Sequence, residues 1–275
     1  MLKPSLIQRR LSSIMGISTT RTTTATNRVG FVVLALLATL IGGQGMLTGC
    51  MSVKRLNGRA VKIDGIASAK LAQPYVVQVE NKLGSVRIYA KPSLKQPEVY
   101  AMVPGKNEPQ IASWVAASIE RQTDSNVLRV LSADPNLDKL PVALQIYVPA
   151  ISGIVIRNNG GTVSVRDVTG PIEVFNGITD GNGGLVDIRT SAALTGPISI
   201  NTRGGDVNLL MGRGSTGRLN ISGKTGAHVI VPEVSIKGIQ SSMTKYRADM
   251  GAWSQEIKVQ AEDGKVTLRV DDRAE

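Results

Sequence analysis

Six times between residues 161 and 221 the chain writes the same five-residue unit: a glycine, any residue, then apolar, polar, apolar. The copies are "GTVSV" (161–165), "GPIEV" (170–174), "GLVDI" (184–188), "GPISI" (196–200), "GDVNL" (205–209) and "GRLNI" (217–221). "SGIVI" (152–156) and "AHVIV" (227–231) are degenerate flanking copies, and "GSVRI" (84–88) and "GKVTL" (264–268) are outliers of the same form. Alternation with period two over five residues is a strand, not a helix. The central residue is polar in all six good copies (Ser164, Glu173, Asp187, Ser199, Asn208, Asn220), so each strand has one wet face and one dry face. The apolar positions are mostly Val and Ile, which suit a pleated surface.

One such strand buries too little to stand alone, but many stacked side by side bury a continuous aliphatic column. Successive copies start 9 to 14 residues apart, so two neighbouring copies take 21–23 residues through the regular part. That fits one turn of a two-sided β-solenoid or β-roll. An antiparallel β-sandwich of tight hairpins is the alternative. The constant offset between glycine and strand favours the solenoid, and the fold class expected is all-β. Scarce aromatics (3%) and 29 glycines agree with an aliphatic, turn-rich β core.

Flanking segments read less clearly. "YVVQVEN" (75–81) and "GSVRIYA" (84–90) are strand-like. The stretch 93–110 holds Pro97, Pro104 and Pro109 and reads as edge or loop. Residues 113–133 read as a hairpin, with a helix over 110–121 as the competing reading. "SIKGIQSSMTKYRADMG" (235–251) reads as loop. Residues 256–270 read as a hairpin across Asp263-Gly264, with Ile257, Val259 and Ala261 facing Val266, Leu268 and Val270, placed to cap the open end of the solenoid.

The N-terminus points to a compartment. Residues 1–28 are basic and rich in Ser and Thr, and Gly30–Ile41 is apolar, the length of a signal-peptide core. Then come Leu47, Thr48, Gly49 and Cys50, the only cysteine. This arrangement resembles a bacterial lipoprotein signal, in which an aliphatic residue and two small residues precede the cysteine. The resemblance implies cleavage before Cys50 and diacylation of its thiol, with residues 1–49 as signal peptide, 50–72 as lipidated tether and 73–275 as the folded domain. An uncleaved membrane span is the alternative, since 29–53 carry no charge; Gly42, Gly43, Gly45 and Gly49 weaken it as a helix. Two acyl chains beside Lys54, Arg55 and Arg59 would anchor stably. Arg9-Arg10 lies too far before the apolar run for a twin-arginine signal. The myristoylation-like Met15-Gly16 is internal, and either Met1 or Met15 could start the chain. Met51 after Cys50, where an Asp would retain a lipoprotein in the inner membrane, leans toward the outer membrane if the source has two.

The region 144–231, with "LQIYVPA", "IRNNGGTVSV" and "INTRGGDVNL", resembles the putative-adhesin family of bacterial envelope proteins, also called adhesin head domains. The resemblance extends more loosely over 75–270. It implies an all-β, extracytoplasmic, non-enzymatic domain.

Chemistry is sparse. The formal charge is +11, but five of the 32 basic residues precede residue 50 with no acid among them, and the remaining 27 meet 21 acids. That mild excess fits an anionic surface, and no basic helix or RNA-binding motif points to nucleic acid. His228, the only histidine, reads as structural, which removes Ser-His-Asp and Cys-His catalysis. Glu173 and Asp187 could pair as glycosidase acids if they converged with Arg189 or Arg203 in a groove; a solvated strand face is the plainer reading. "DGNGGLVD" (180–187) has the look of a calcium turn but does not repeat, and "GRGSTG" (212–217) lacks a phosphate-loop ending. The Asn-preceded Gly-Gly corners at 157–163 and 201–207 read as structural, through left-handed backbone or through asparagines stacked inside the coil. Phe175 is the only aromatic in 152–231, which leaves sugar stacking there unsupported. No cofactor or metal site is expected. The function expected is a lipid-anchored, non-catalytic envelope protein whose repetitive β surface serves adhesion or an envelope partner; a polysaccharide-acting solenoid enzyme is the alternative, and a structural or stress-sensing envelope component a third.

Overall fold

The computed structural model describes residues 60–64, 66, 74–122, 125–132, 140–177, 183–231, 236–252 and 255–271. In chain order the strands are β1 (Val61–Lys62), β2 (Tyr75–Asn81), β3 (Val86–Ala90), β4 (Glu98–Met102), β5 (Val115–Arg121), β6 (Asn126–Ser132), β7 (Ala143–Val148), β8 (Ile151–Asn158), β9 (Gly161–Arg166), β10 (Ile172–Asn176), β11 (Gly183–Arg189), β12 (Ile198–Thr202), β13 (Val207–Met211), β14 (Gly217–Gly223), β15 (Gly226–Ile230), β16 (Ile236–Ser241), β17 (Lys245–Met250), β18 (Glu256–Ala261) and β19 (Lys265–Val270). Among the described residues one helix, α1 (Glu108–Trp114), lies between β4 and β5. The fold is all-β.

The strands form two sheets. Sheet A runs β1-β4-β7-β3-β9-β11-β13-β19-β15, and sheet B runs β16-β17-β14-β18-β12-β10-β8-β2-β6-β5. From β8 to β13 the chain alternates between them, one strand in B and the next in A, and each strand pairs in parallel with its neighbours. This is the two-sided β-solenoid; the antiparallel sandwich is excluded, because no two consecutive strands of this run pair with each other. The turns are uneven: Ile154 to Ile172 is 18 residues and Ile172 to Ile198 is 26, yet all three are in register. Loops at the corners absorb the difference.

Register explains the core. Ile154, Ile172, Ile198 and Ile257 stack along the inner face of sheet B. Val165, Ile188, Leu209 and Leu268 do the same in sheet A. All eight are buried in one cluster. Burying each such side chain contributes on the order of 1.5–3 kcal/mol.

Two features of the corners lock this register. Where the chain passes from B to A, Gly84, Gly161, Gly184, Gly205 and Gly264 stack backbone on backbone. A β-carbon on Gly161 would lie 2.4 Å from Gly84 O, and one on Gly264 would lie 2.0 Å from Gly205 O. The glycine at each of these five corners is therefore required by the rung beneath it. Just before that corner, buried polar side chains form a ladder. Ser132 Oγ donates to Asn81 Oδ1 (2.8 Å), Asn81 Nδ2 to Asn158 Oδ1 (3.0 Å), and Asn158 Nδ2 to Asn176 Oδ1 (2.9 Å). Thr202 takes the next rung, and the ladder ends at Ala261. Stacked asparagines were one of the two readings of the Asn-Gly-Gly corners. Asn158 fits it, but at the second corner strand alternation turns Asn201 outward and Thr202 inward.

Several expectations need correction. Residues 256–270 are neither a hairpin nor a cap. β18 sits in sheet B between β12 and β14, and β19 in sheet A between β13 and β15. Asp263-Gly264 is a solenoid corner whose glycine packs on Gly205, so the last turn of the sequence is inserted one turn from the end of the stack. The turn formed by β2 and β3 is likewise flanked by β8 and β9 on one side and β6 and β7 on the other. The stretch 235–251 is not loop: β16 and β17 form an antiparallel hairpin on β14 that covers the last turn on its sheet B side. Within 93–110, β4 pairs with both β7 and β1, because Pro97 and Pro104 fall outside it. The hairpin over 113–133 is present as β5 and β6. The helix competing with it also exists, but only to Trp114. It is started by Asn107, which forms a capping box with Gln110, and by a proline in the first turn. Within the segment read as tether, Val61 and Ile63 are buried and β1 joins sheet A.

Candidate functional site

The outer face of sheet A concentrates what chemistry the domain offers. Strand alternation sends Glu98, Tyr100 and Met102 of β4 outward, and likewise Ala143, Gln145 and Tyr147 of β7, and Arg87 and Tyr89 of β3. The ladder places Tyr147 opposite both Glu98 and Tyr89, and Gln145 opposite both Tyr100 and Arg87. Three tyrosines far apart in sequence thus meet. The rings of Tyr89 and Tyr147 stack with centroids 5.5 Å apart, and Tyr100 meets Tyr147 edge-on at 6.1 Å. Lys91 Nζ lies 5.7 Å over the Tyr147 ring. Gln145 Nε2 donates to the Tyr147 hydroxyl. Beside the rings Ser85, Arg87, Tyr100, Met102, Ala143 and Gln145 line a dip of about 90 Å³, well below the roughly 300–1,000 Å³ of pockets that enclose a small molecule.

Glu98 ties this corner together. It accepts from Lys62 Nζ at 3.2 Å and from the Tyr100 hydroxyl at 3.2 Å. The Lys62 hydrogen bond holds its carboxyl below the usual carboxylate range against an opposing push from burial, and the hydrogen bond from Tyr100 adds to the lowering. Burial and then Glu98 push the Tyr100 hydroxyl up. A depressed carboxyl gives stability that is present above its unfolded-state pKa and lost as pH falls through the folded value. Exposure keeps that contribution small. Lys62→Met should raise the Glu98 pKa toward its ordinary value in a carbon-detected NMR titration; an unmoved midpoint would contradict the pairing.

Farther along the same face, Asp187 is 7% exposed. It accepts from Arg166 Nη2 at 2.6 Å and from Arg189 Nε at 3.1 Å. Two guanidiniums occupy its carboxylate, which leaves it braced between rungs rather than free to move a proton. Glu173 lies in β10 of sheet B, on the opposite outer face, and pairs with Arg157 at 3.5 Å. Arg203 pairs with Glu262 at 3.9 Å. Asp187 and Arg189 therefore meet, but Glu173 and Arg203 do not join them, and the paired acids that a glycosidase needs are not brought together. His228 is exposed on the outer face of β15, opposite Thr267, rather than packed in the core. Phe175 lies under Arg157 at 5.8 Å on sheet B. Residues 180–182 of the calcium-like turn lie outside the described residues, as do Leu47, Thr48, Gly49 and Cys50. Among the described residues, no three His, Cys, Asp or Glu side chains gather as metal ligands.

The tyrosine group is not legible in the sequence, because Tyr89, Tyr100 and Tyr147 lie outside the repeats of 152–231. Its members sit at the same outward position of strands that only the ladder makes neighbours.

No protein-family model matches the chain, and no curated protein matches its sequence. Among solved structures it is similar to a "putative cell adhesion protein" from Clostridium sporogenes, at 10% identity and a TM-score of 0.39, over 78% of this chain and 99% of that one. It is also similar to a "putative adhesin" from Bacteroides fragilis, at 11% identity and a TM-score of 0.27, over 77% and 97%. A third, a "putative adhesin" from Parabacteroides distasonis, has 10% identity and a TM-score of 0.27, over 77% and 96%. These likenesses are too distant to carry a function across.

Proposed function

We propose that the chain is a non-catalytic, lipid-anchored protein of the cell envelope, whose rigid sheet faces serve adhesion or the binding of an envelope partner. The observation that carries this reading is the outer face of sheet A, where three tyrosines in ring contact and an exposed Arg87 are presented side by side while Glu98 and Asp187 are held by cations. Such a surface suits recognition by contact, and the enzyme alternative lacks converging acids. The anchor is Cys50, acylated after cleavage behind Leu47, Thr48 and Gly49, in the outer membrane if the source has two.

Two measurements test it. A palmitate analogue fed to cells should label the wild type and not Cys50→Ala; unlabelled wild type would remove the anchor. Beads carrying the protein should retain isolated envelopes several-fold better than beads carrying Tyr89→Ser/Tyr100→Ser/Tyr147→Ser. Equal retention would remove this face as the binding surface.

A further inference from the structure

The far end of the stack is built unlike the rest. Sheet A stops at β15, while sheet B continues for two more strands, β17 and β16. The inner side of β17 is covered, with Ala248 and Met250 buried, so β16 forms the open edge of sheet B beyond the level of β15. Of the large apolar side chains that stand exposed among the described residues, three belong to these last elements. They are Ile230 (45% exposed), Ile239 (57%) and Met243 (90%). Met243 is held at the tip rather than loose, since its carbonyl accepts from Ala227 N at 3.0 Å. Exposing a methionine this fully has no benefit for folding.

The same end carries cations. Lys237 of β16 and Lys245 and Arg247 of β17 are exposed and have no ion-pair partner among the described residues. The acid opposite Lys237 in register, Asp249, is held by Arg218 at 3.3 Å. Free cations around protruding apolar tips match an anionic lipid surface, where each Lys or Arg is attracted by the headgroup charge and apolar tips enter the acyl boundary. A second copy docking through the same face would set these cations against each other.

We infer that the β15–β17 end of the domain docks onto a bilayer that contains anionic lipid, inserting Met243 and Ile239 between headgroups that Lys237, Lys245 and Arg247 contact. This does not rest on acylation of Cys50. The end lies eight strand spacings, about 40 Å, from β1, so it is not merely the part of the domain next to the tether.

The test uses the full chain carrying Cys50→Ala, so that a single introduced cysteine can be labelled. Met243→Cys with an environment-sensitive dye reports the tip, and Ser118→Cys on β5 reports the opposite end. With vesicles of phosphatidylcholine containing roughly 30% phosphatidylglycerol, the anionic range of a cytoplasmic leaflet or above, the dye at 243 should shift to the blue and the dye at 118 should not. Raising salt should weaken the shift. Lys237→Glu/Lys245→Glu/Arg247→Glu should raise the lipid needed for half the shift at least tenfold, with an unchanged melting curve. No shift at 243, an equal shift with pure phosphatidylcholine, an equal shift at 118, or a triple variant that behaves as wild type would each overturn the inference. So would a shift that tracks dimer formation without lipid.

Discussion

Asn158→Ala should lower the melting temperature of the domain by about 10 °C. Asn158 is fully buried, and its amide joins three rungs: it accepts from Asn81 Nδ2 at 3.0 Å and donates to Asn176 Oδ1 at 2.9 Å and to Gly84 O at 3.1 Å. Truncation removes the donor from buried Asn176 Oδ1 and from Gly84 O, each unsatisfied acceptor costing about 1–3 kcal/mol. The sum is about 2–6 kcal/mol. In a domain of this size each kcal/mol moves the midpoint by about 2–4 °C. Asn201→Ala is the matched control. Its side chain faces outward beside Phe175, and its loss should stay within about 0.5 kcal/mol. If the two variants melt together, the ladder is not what holds the corner.

A comparable loss is expected from Gly205→Ala, about 2–6 kcal/mol by denaturant titration. Two costs add there. Its φ of +115° is strained for any side chain, on the order of 1–3 kcal/mol. A β-carbon would also lie 2.6 Å from Gly184 O, which belongs to the next rung's backbone and cannot yield without moving the ladder; overpacking of that kind costs about 1–3 kcal/mol. Gly105→Ala separates the terms. Gly105 has φ +70°, but nothing lies within 4 Å of its would-be β-carbon. That variant should show only the backbone cost, at most about half of the Gly205 loss. Equal losses would mean that the glycine column is not closely stacked.

These two residues also mark what the sequence could and could not reveal. The glycine that leads each unit was visible from its constant offset, and so was the period-two strand behind it, because both are local. Asn158 was visible as a corner residue. That Thr202, not Asn201, continues the ladder follows from alternation and could have been read. The start of α1 was also legible, since Asn107 and Gln110 form a capping box around an early proline, but the three prolines of 93–110 argued for loop. The order of the turns was not legible. "GKVTL" has the same form as "GDVNL", so either could stack on any neighbour, and register alone does not say which lies beside which. The hairpin reading of 256–270 failed for that reason. A two-residue Asp-Gly link suits a hairpin turn as well as a corner between sheets, and only the glycine column beneath Gly264 selects the corner. The tyrosine group depends on the same missing order, because Tyr89 and Tyr147 become neighbours only once β3 lies beside β7.

The placement of the last turn is therefore the sharpest claim, and backbone amide contacts in a nuclear Overhauser experiment test it directly. Parallel pairing on both sides of β18 puts Val259 opposite Ile200 on one side and Ile221 on the other. Cross-strand contacts from the backbone of 259 to both 200 and 221 are the predicted result. Backbone contacts joining 257–261 to 266–270 as an antiparallel pair, with none to 200 or 221, would contradict the inserted turn and the stacking order built on it.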